Sequence, residues 1–272
     1  MKKTNKPKIA YPGIHFLMLF FILSHTSCLI IDPIDDVSNT NFKASESFCF
    51  DIAVKNQHRI VIDAINGAIT VKGKAGMSSA KISGQRIVES ESYADAEAHL
   101  HQVEVIISDS NDEIQVETKQ PAVTYGRQYQ VIYYISIPDY WDIEIESVNG
   151  LVRIDSLNAD IHLEVVNGDV VLNEIFGNIA TGITNGQLNA KVTVPHQGFC
   201  KIDMVNGQIQ LGIPKTTSAE FLAKVTNGIV GVSNLVLNNM VSSRNLVSGV
   251  LGNGQGTIKV ETVNGTISVI GF

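Results

Sequence analysis

Two histidines have a spacing that can hold a metal ion. His99 and His101 lie one residue apart, so that in an extended segment both imidazole rings point to the same side. Their neighbours Asp95 and Glu97 are instead typical of a solvated helix, on which the two rings diverge. We therefore predict no metal site and no cofactor.

A run of carboxylates suggests glycoside cleavage, which needs two carboxyl groups, one of them acting as an acid. The sequence lacks the Arg or Lys and the aromatic side chains that would complete a sugar cleft around them, and it contains none of the common catalytic motifs. Such residues usually keep a surface soluble, and weak binding of divalent cations is the alternative. These carboxylates are Asp155, Asp160, Glu164, Asp169 and Glu174.

The N-terminal residues have the pattern of a secretory signal peptide. Residues 2–8 are basic, residues 14–23 form an apolar run too short to span a bilayer, and small polar residues follow. We predict a signal peptide over residues 1–27.

Cys28 directly follows this signal and is a candidate for lipid attachment. The residues before it resemble the end of a bacterial lipobox, although His25 stands where that motif usually has Leu. Ordinary signal cleavage is therefore the alternative. We predict a lipid on Cys28, a polar tether over 28–46 and an exported protein anchored to the cell envelope. By resemblance to other lipoproteins, Leu29 favours the bacterial outer membrane.

A repeat of Asn-Gly pairs defines the secondary-structure elements on which any functional site must lie. Successive copies lie 18 to 21 residues apart in the regular part, for example at Asn149, Asn167 and Asn185. A period near 20 residues is typical of a repeat architecture. The pairs that we assign as structural corners are Asn66-Gly67, Asn149-Gly150, Asn167-Gly168, Asn185-Gly186, Asn206-Gly207, Asn227-Gly228 and Asn264-Gly265.

Apolar residues alternate on both sides of each pair, as in strands with one buried face. Asn-Gly can join such strands as a hairpin turn in an antiparallel meander, or as the bend between two faces of a coil. Every second turn has a different sequence, which favours the coil. We predict an all-β, single-chain β-solenoid (β-helix) with rungs of about 18–21 residues.

Alternation also predicts the surroundings of the corners. Each Asn shares the parity of the apolar residues before it, so we expect the amides to point inward and to form a buried, hydrogen-bonded ladder. Gly252–Gly256 is interpreted as a variant corner. The last strand ends the chain, and we expect it to be an open edge.

The folded domain is predicted over residues 47–272, with an insertion over 92–129 that covers the first rungs. Ala-rich residues near 92–102 predict one short helix, which Ser90 or Ser92 can cap. Alternation places Cys200 on the inner face and Cys49 on the outer face, so we expect no disulfide between them.

Four corners with a preceding valine, at Val148, Val166, Val205 and Val263, resemble the bacterial putative-adhesin family, as does segment 137–150. This family is also described as a domain of unknown function. The resemblance covers about residues 47–272. It implies an exported or membrane-anchored β-solenoid and brings no catalytic residues with it.

These observations favour a non-enzymatic exported lipoprotein that presents a rigid surface for adhesion, binding or cell-envelope organisation, with a protein or a polysaccharide as ligand. One alternative is a surface polysaccharide-modifying enzyme, which a cleft with two carboxylates, or with a carboxylate beside Arg or Lys, would favour. Another is an accessory of envelope-stress signalling. The net charge of -7 argues against nucleic acid as a partner.

Replacing Cys28→Ser should move the protein from the membrane to the soluble fraction, because the serine hydroxyl cannot carry the thioether-linked lipid. Fractionation with radiolabelled palmitate measures both properties. If wild type and variant fractionate alike and neither takes label, the lipoprotein prediction is wrong.

Overall fold

Strands dominate the computed structural model, which describes residues 42–110 and 112–272. All the described strands belong to one sheet. They are β1 (Phe42–Ala53), β2 (Arg59–Lys74), β3 (Ser79–Ser90), β4 (Glu104–Asp109), β5 (Glu113–Lys119), β6 (Gln128–Pro138), β7 (Asp142–Leu157), β8 (Ile161–Phe176), β9 (Ile179–Thr193), β10 (Phe199–Ile213), β11 (Ala219–Ser233), β12 (Leu237–Ser242), β13 (Leu246–Leu251) and β14 (Gly256–Gly271). The helix α1 is Tyr93–His99, followed by a 3-10 turn, Leu100–Gln102.

The predicted signal peptide and Cys28 lie outside the described residues. β1 begins at Phe42. Residues 42–46, which the sequence assigned to the tether, therefore belong to the sheet, because they pair in register with the end of β3.

Seven long strands, β2, β7 to β11 and β14, each carry one Asn-Gly pair near the middle. In β7, Ile143, Ile145 and Ser147 are buried before the pair, and Val152 and Ile154 are buried after it. The buried positions change from odd to even numbers across the pair, as the alternation in the sequence predicts. Each long strand thus consists of two half-strands that contribute to one core.

Neighbouring long strands pair in parallel with their corners aligned. Asn66 lies opposite Asn149, although 83 residues separate them, and Asn149 lies opposite Asn167. Parallel pairing excludes the hairpin meander, whose neighbouring strands would be antiparallel. The all-β, β-solenoid-like architecture is therefore confirmed. Equivalent core residues form columns, one of which is Ile60, Ile143, Ile161, Ile179, Cys200, Ile258 and Phe221.

The strand order departs from the chain order near the C-terminus. β14 pairs in parallel with β10 on one side and with β11 on the other, which places Asn264 between Asn206 and Asn227. The prediction that the last strand is an open edge is therefore wrong. The reason is that β10, β11 and β14 share the same corner and the same alternation, so that local sequence does not decide which pairs form.

Backbone hydrogen bonds hold the end of β14 in this position. The Phe272 N–H donates to the Ile213 carbonyl at 3.0 Å, and the Phe272 carbonyl accepts from the Lys215 N–H at 3.1 Å. The Lys191 ammonium lies 4.7 Å from the centre of the Phe272 ring, which adds a cation–π contact.

The segments before β7 cover the other side of β2. The first half of β2 pairs with β5, which pairs with β4, while its second half pairs with β6, and the sheet continues to β3 and β1. The insertion over 92–129 supplies α1, β4 and β5. Of the two predicted caps, Ser92 caps α1 by accepting a hydrogen bond from the Asp95 N–H.

Residues 234–255 form a second cap, on β11. β13 pairs antiparallel with the first half of β11, and β12 pairs with β13. The corner of β11 is covered by the Arg244 and Asn245 carbonyls, which accept from the Val230 and Val225 N–H groups.

The Gly252–Gly256 segment is not a corner, contrary to the prediction. It is the turn that carries the chain from β13 across the start of β11 to β14. Gly252 and Gly254 have φ angles of 54° and 70°, and the Ser218 hydroxyl accepts hydrogen bonds from the Asn253 and Gln255 N–H groups. The segment lacks the long apolar flanks of a corner, and hydrogen bonds to Ser218, just before β11, hold it instead.

The inserted position of β14 can be tested by disulfide cross-linking in a Cys49→Ser background. Cysteines replacing Gln210 and Ser268 should oxidise to a disulfide, because these residues are partners on adjacent strands, at about 4.8 Å between strands. The control pair replaces Gln210 and Gly231, which would be neighbours if the strands followed chain order. Cross-linking of the control pair in place of the first pair would contradict the observed order.

Candidate functional site

A continuous ladder of asparagine amides runs across the corners. In each step the Nδ2 group of one asparagine donates to the Oδ1 atom of the asparagine before it in the ladder, as Asn149 does to Asn66, at 2.7 to 3.0 Å. At one end, Asn66 Nδ2 donates to the Tyr129 carbonyl at 3.2 Å. All the amides therefore point the same way, so that their dipoles reinforce one another. The order along the ladder is Asn66, Asn149, Asn167, Asn185, Asn206, Asn264 and Asn227.

The ladder lies on the outside of the molecule, and the prediction of buried amides is wrong. Asn66 and Asn149 are half-buried, and the other five are exposed. The bend itself is the reason: it turns the corner away from the core before alternation resumes with the other parity. Each amide donates one of its two N–H groups, Asn66 to Tyr129 and the others within the ladder, and each except the terminal Asn227 accepts one hydrogen bond at Oδ1. Among the described residues, the second N–H group of each amide has no hydrogen-bond partner, which leaves it available at the corner.

Each corner requires glycine because the neighbouring backbone is too close for a side chain. A Cβ atom added at any of the seven corner glycines would lie 1.6 to 2.0 Å from a backbone carbonyl oxygen of the adjacent strand. Six of the seven also have φ angles between 128° and 158°, which L-residues rarely adopt.

An apolar row flanks the ladder. The residues just before the asparagines of β7, β8, β10 and β14 are Val148, Val166, Val205 and Val263, and each is 41–43% exposed. In β9 and β11 this position holds a threonine. We call the seven asparagines and these valines the corner ridge. In the sequence these valines were noted only as part of the family motif. Their exposure was predictable, because each valine has the same parity as exposed residues of its strand.

A second polar ladder stabilises the starts of the rungs. Asp142 Oδ1 accepts from the Asp160 N–H at 3.0 Å, and Asp160 accepts from both the N–H and the side-chain amide of Asn178. Asn178 Oδ1 in turn accepts from the Phe199 N–H at 2.9 Å. Asp160, one of the candidate carboxylates, is thus a structural residue that satisfies backbone donors.

The other candidate carboxylates do not form a site. Glu174 accepts from the Ser156 hydroxyl at 3.1 Å, and Asp169 accepts from the Gln187 N–H at 3.0 Å. Asp155 lies in the second half of β7 and Glu164 in the first half of β8, on opposite sides of the corner. The structure therefore separates these side chains.

Glu164 does line an open groove of about 500 Å³ above Gly182, with Asp203, Glu261 and Lys224. Lys259 pairs with Glu261 beside this groove, which is the combination that would favour an enzyme. However, the hydrogen bond that Lys259 donates to Glu261 raises the pKa of Lys259, whereas a lysine that acts as a general base needs a lowered pKa. The pair is solvated and lacks the features of a catalytic dyad.

The two histidines lie at the end of α1 and do not face each other. His99 Nδ1 bonds the Asp95 carbonyl at 2.7 Å, and His101 is exposed in the 3-10 turn. Across residues 42–110 and 112–272, no three His, Cys, Asp or Glu side chains converge as metal ligands.

Asp95 joins α1 to the sheet. Arg127 makes two hydrogen bonds to its carboxylate, both at 2.7 Å, and the Ser90 hydroxyl donates a third. These hydrogen bonds, that of Arg127 first, hold the pKa of Asp95 well below its ordinary value of 3.8.

The remaining residues of interest have structural surroundings. Cys200 is fully buried in a core column, and burial raises the pKa of its thiol to about 12, which makes it unreactive. Cys49 lies on β1, at a distance of several strands from β10 in the sheet, and the two cysteines form no disulfide. Trp141 is fully buried at the start of the coil, while Tyr140 is exposed.

This stack of bent parallel strands, joined at Asn-Gly corners and closed by two caps, defines a β-solenoid-like repeat protein. The model of the Toastrack DUF4097 family matches residues 51–270, and the chain belongs to this family. The resemblance seen in the sequence is thereby confirmed. In the described part of the chain, no helix has the length and apolarity to cross a bilayer.

The solved structures that are similar to this chain include two adhesin-like proteins. One is a putative cell adhesion protein from Clostridium sporogenes ATCC 15579, with 14% identity and a TM-score of 0.47, covering 84% of this chain and 100% of that one. The other is a putative adhesin from Bacteroides fragilis NCTC 9343, with 12% identity and a TM-score of 0.29, covering 82% and 97%. A comparison with curated proteins finds no match.

Gly186→Ala should destabilise the fold by at least about 3 kcal/mol, because the new methyl group meets the Gly168 carbonyl in a backbone conformation unsuited to alanine. The control is Gly212→Ala, where the nearest atom is 3.5 Å away, and where we expect a change below about 1 kcal/mol. Urea unfolding measures both. Equal effects would contradict close stacking at the corners.

Asp95→Asn should lower stability at neutral pH and less so in acid. The pKa of Asp95 is depressed in the folded state, so the carboxylate contributes stability above about pH 4 and loses this contribution as the pH falls below it. Urea unfolding between pH 2 and pH 7, compared with Glu220→Gln on the surface of β11, tests this. A pH-independent difference would argue against the Arg127 pair as the cause.

Proposed function

We propose that this protein is a non-enzymatic, exported lipoprotein that presents the corner ridge to a polymeric ligand, in adhesion or in organisation of the cell envelope. The observation that carries the proposal is the unbroken amide ladder, which leaves one N–H group and one lone pair of each asparagine available outside the fold. The flanking valines supply apolar contact along the same line.

The spacing of the ridge favours an extended ligand. Equivalent groups recur at about 4.8 Å, the distance between neighbouring strands, so that one linear molecule can meet the same donor, acceptor and methyl groups several times. Multiple weak contacts of this kind add up in binding. A small molecule would use only one or two of them.

The chemistry of the ridge also favours an uncharged contact. The ridge itself consists of asparagines and valines. The nearest charges are mostly acidic, because Glu146, Glu164 and Asp203 each precede a corner asparagine by three residues, and Glu164 and Asp203 line a groove that two of the ridge valines also line. Charged polymers such as nucleic acid are therefore poor candidates. Attraction would come from hydrogen bonds and apolar burial and should depend little on salt.

Surroundings of the titratable groups support a non-enzymatic role. The residues with clearly shifted pKa values are Asp95, Arg127, Tyr133, Cys200 and Lys259, and ion pairs, hydrogen bonds or burial in the core explain each shift. Clusters of perturbed groups in one pocket are typical of catalytic sites. Here Asp95 on α1 and Arg127 form one structural ion pair, and the other three residues lie on β6, β10 and β14.

The ridge can be tested with the double variant Val205→Asp and Val263→Asp, which places two carboxylates on adjacent strands. We expect binding of the full chain to isolated cell envelopes and to whole cells to fall by about tenfold or more, because the carboxylates add charge and hydration to an apolar contact. Binding isotherms of the fluorescently labelled chain provide the measurement.

Val123→Asp is the control, since Val123 is also exposed but lies in the loop between β5 and β6. It should bind like the wild type. If the double variant remains folded and binds equally well, the ridge is not the ligand surface.

A further inference from the structure

The cap formed by residues 234–255 is almost free of charge. Between Lys224 and Lys259, the only charged residue is Arg244, although charged residues make up 17% of the chain. This stretch includes all of β12 and β13. Charged side chains usually keep the surface of a sheet from associating with other proteins. The cap at this end of the molecule lacks that protection.

β12 is the last strand of the sheet at this end. Among the described strands it pairs only with β13, so that its outer backbone edge faces solvent. Three apolar side chains are exposed on or beside it: Val236 at 82%, Met240 at 57% and Val241 at 57%. An unpaired and uncharged edge with exposed apolar side chains is a template for another strand.

The edge at the opposite end has the usual protection. β1 carries Lys43, Glu46 and Asp51, which pair with Glu89, Arg86 and Lys81 on β3. A strand that approached β1 would have to accommodate these charges and their water. The two ends of the sheet therefore differ in their readiness to associate, and only the β12 end is unprotected.

We propose that the β12 edge is a docking surface for a second copy of this chain, with the two β12 strands antiparallel across a two-fold axis. A two-fold contact brings the same surface together with itself. An edge without charge meets its copy with no repulsion, and the unpaired backbone groups of each strand find partners on the other. Apart from Arg244, which follows β12 by two residues, the cap offers no charged group to a charged partner.

The contact is small, and one pair is weak. β12 has six residues, and its register shifts between Asn238 and Val241, near Asn239 with its φ of 52°. Bulges of this kind limit the length of pairing at an edge. A contact between two strands of six residues buries less surface area than the interface of a stable dimer. Many copies on one surface compensate, because each additional contact forms at high effective concentration.

The direction of the dimer gives it a use beyond ligand binding at the ridge. β1 and β12 are at opposite ends of a path of twelve strands, on the order of 50 Å apart. In the two-fold pair, both copies of Phe42 point away from the contact. If the protein is attached to each of two surfaces through its N-terminal end, contact between the β12 edges joins the two surfaces.

Clumping of beads tests this proposal. The full chain is attached through its N-terminal end to beads of two colours, as wild type, Met240→Lys or Met240→Glu. Wild-type beads should clump. Each variant alone should clump at least about tenfold less, because like charges meet across the axis. Mixed lysine and glutamate beads should clump again, with both colours in each aggregate.

The control is Val205→Lys, which alters the corner ridge but not the β12 edge and should clump like the wild type. Loss of ligand binding at the corner ridge and loss of contact at the β12 edge therefore give different results. Protein-free phosphatidylglycerol vesicles test a membrane as the occupant. Undiminished clumping of either variant alone, no recovery in the mixture, or wild-type beads that collect vesicles without clumping would each overturn the proposal.

Discussion

At every corner, the carbonyl oxygen of one strand lies against the Cα atom of the glycine in the next, at a distance that admits hydrogen but no carbon. This approach fixes the register of the sheet, because a slip by one residue would put a side chain where only glycine fits. The amide ladder repeats the same condition in hydrogen bonds. Steric exclusion and polar pairing thus select one alignment together.

With the register fixed, the core needs little further specification. Columns of Ile, Val and Leu stack on both half-strands, and single departures such as Cys200 between Ile179 and Ile258 keep the apolar character. Thr181 and Thr262 are less favourable, since their buried hydroxyl oxygens have no partner within the described residues. Each of these hydroxyls lowers the stability of the fold but leaves the strand register unchanged, because the corners and not the core decide the register.

The repeat and its alternation were sufficient to predict the strands, the change of parity and the parallel stack, because the same pattern recurs in successive rungs. They were insufficient for the position of β14. Asn206, Asn227 and Asn264 have nearly identical neighbours, and the choice among them depends on the cap and on short connections such as Ser218 to Asn253. The outward direction of the amides was missed because parity was extended through the bend. Asp142 and Asn178 were missed because their role is to bind backbone groups of the next rung.

The position of β14 also has a consequence for the order of folding. β10 and β11 both precede β14 in the chain, so that the space between them in the sheet is filled only after residues 256–271 have been synthesised. A late segment thereby completes the contact between two earlier strands, and the Lys215 N–H holds the end of that segment through the Phe272 carbonyl.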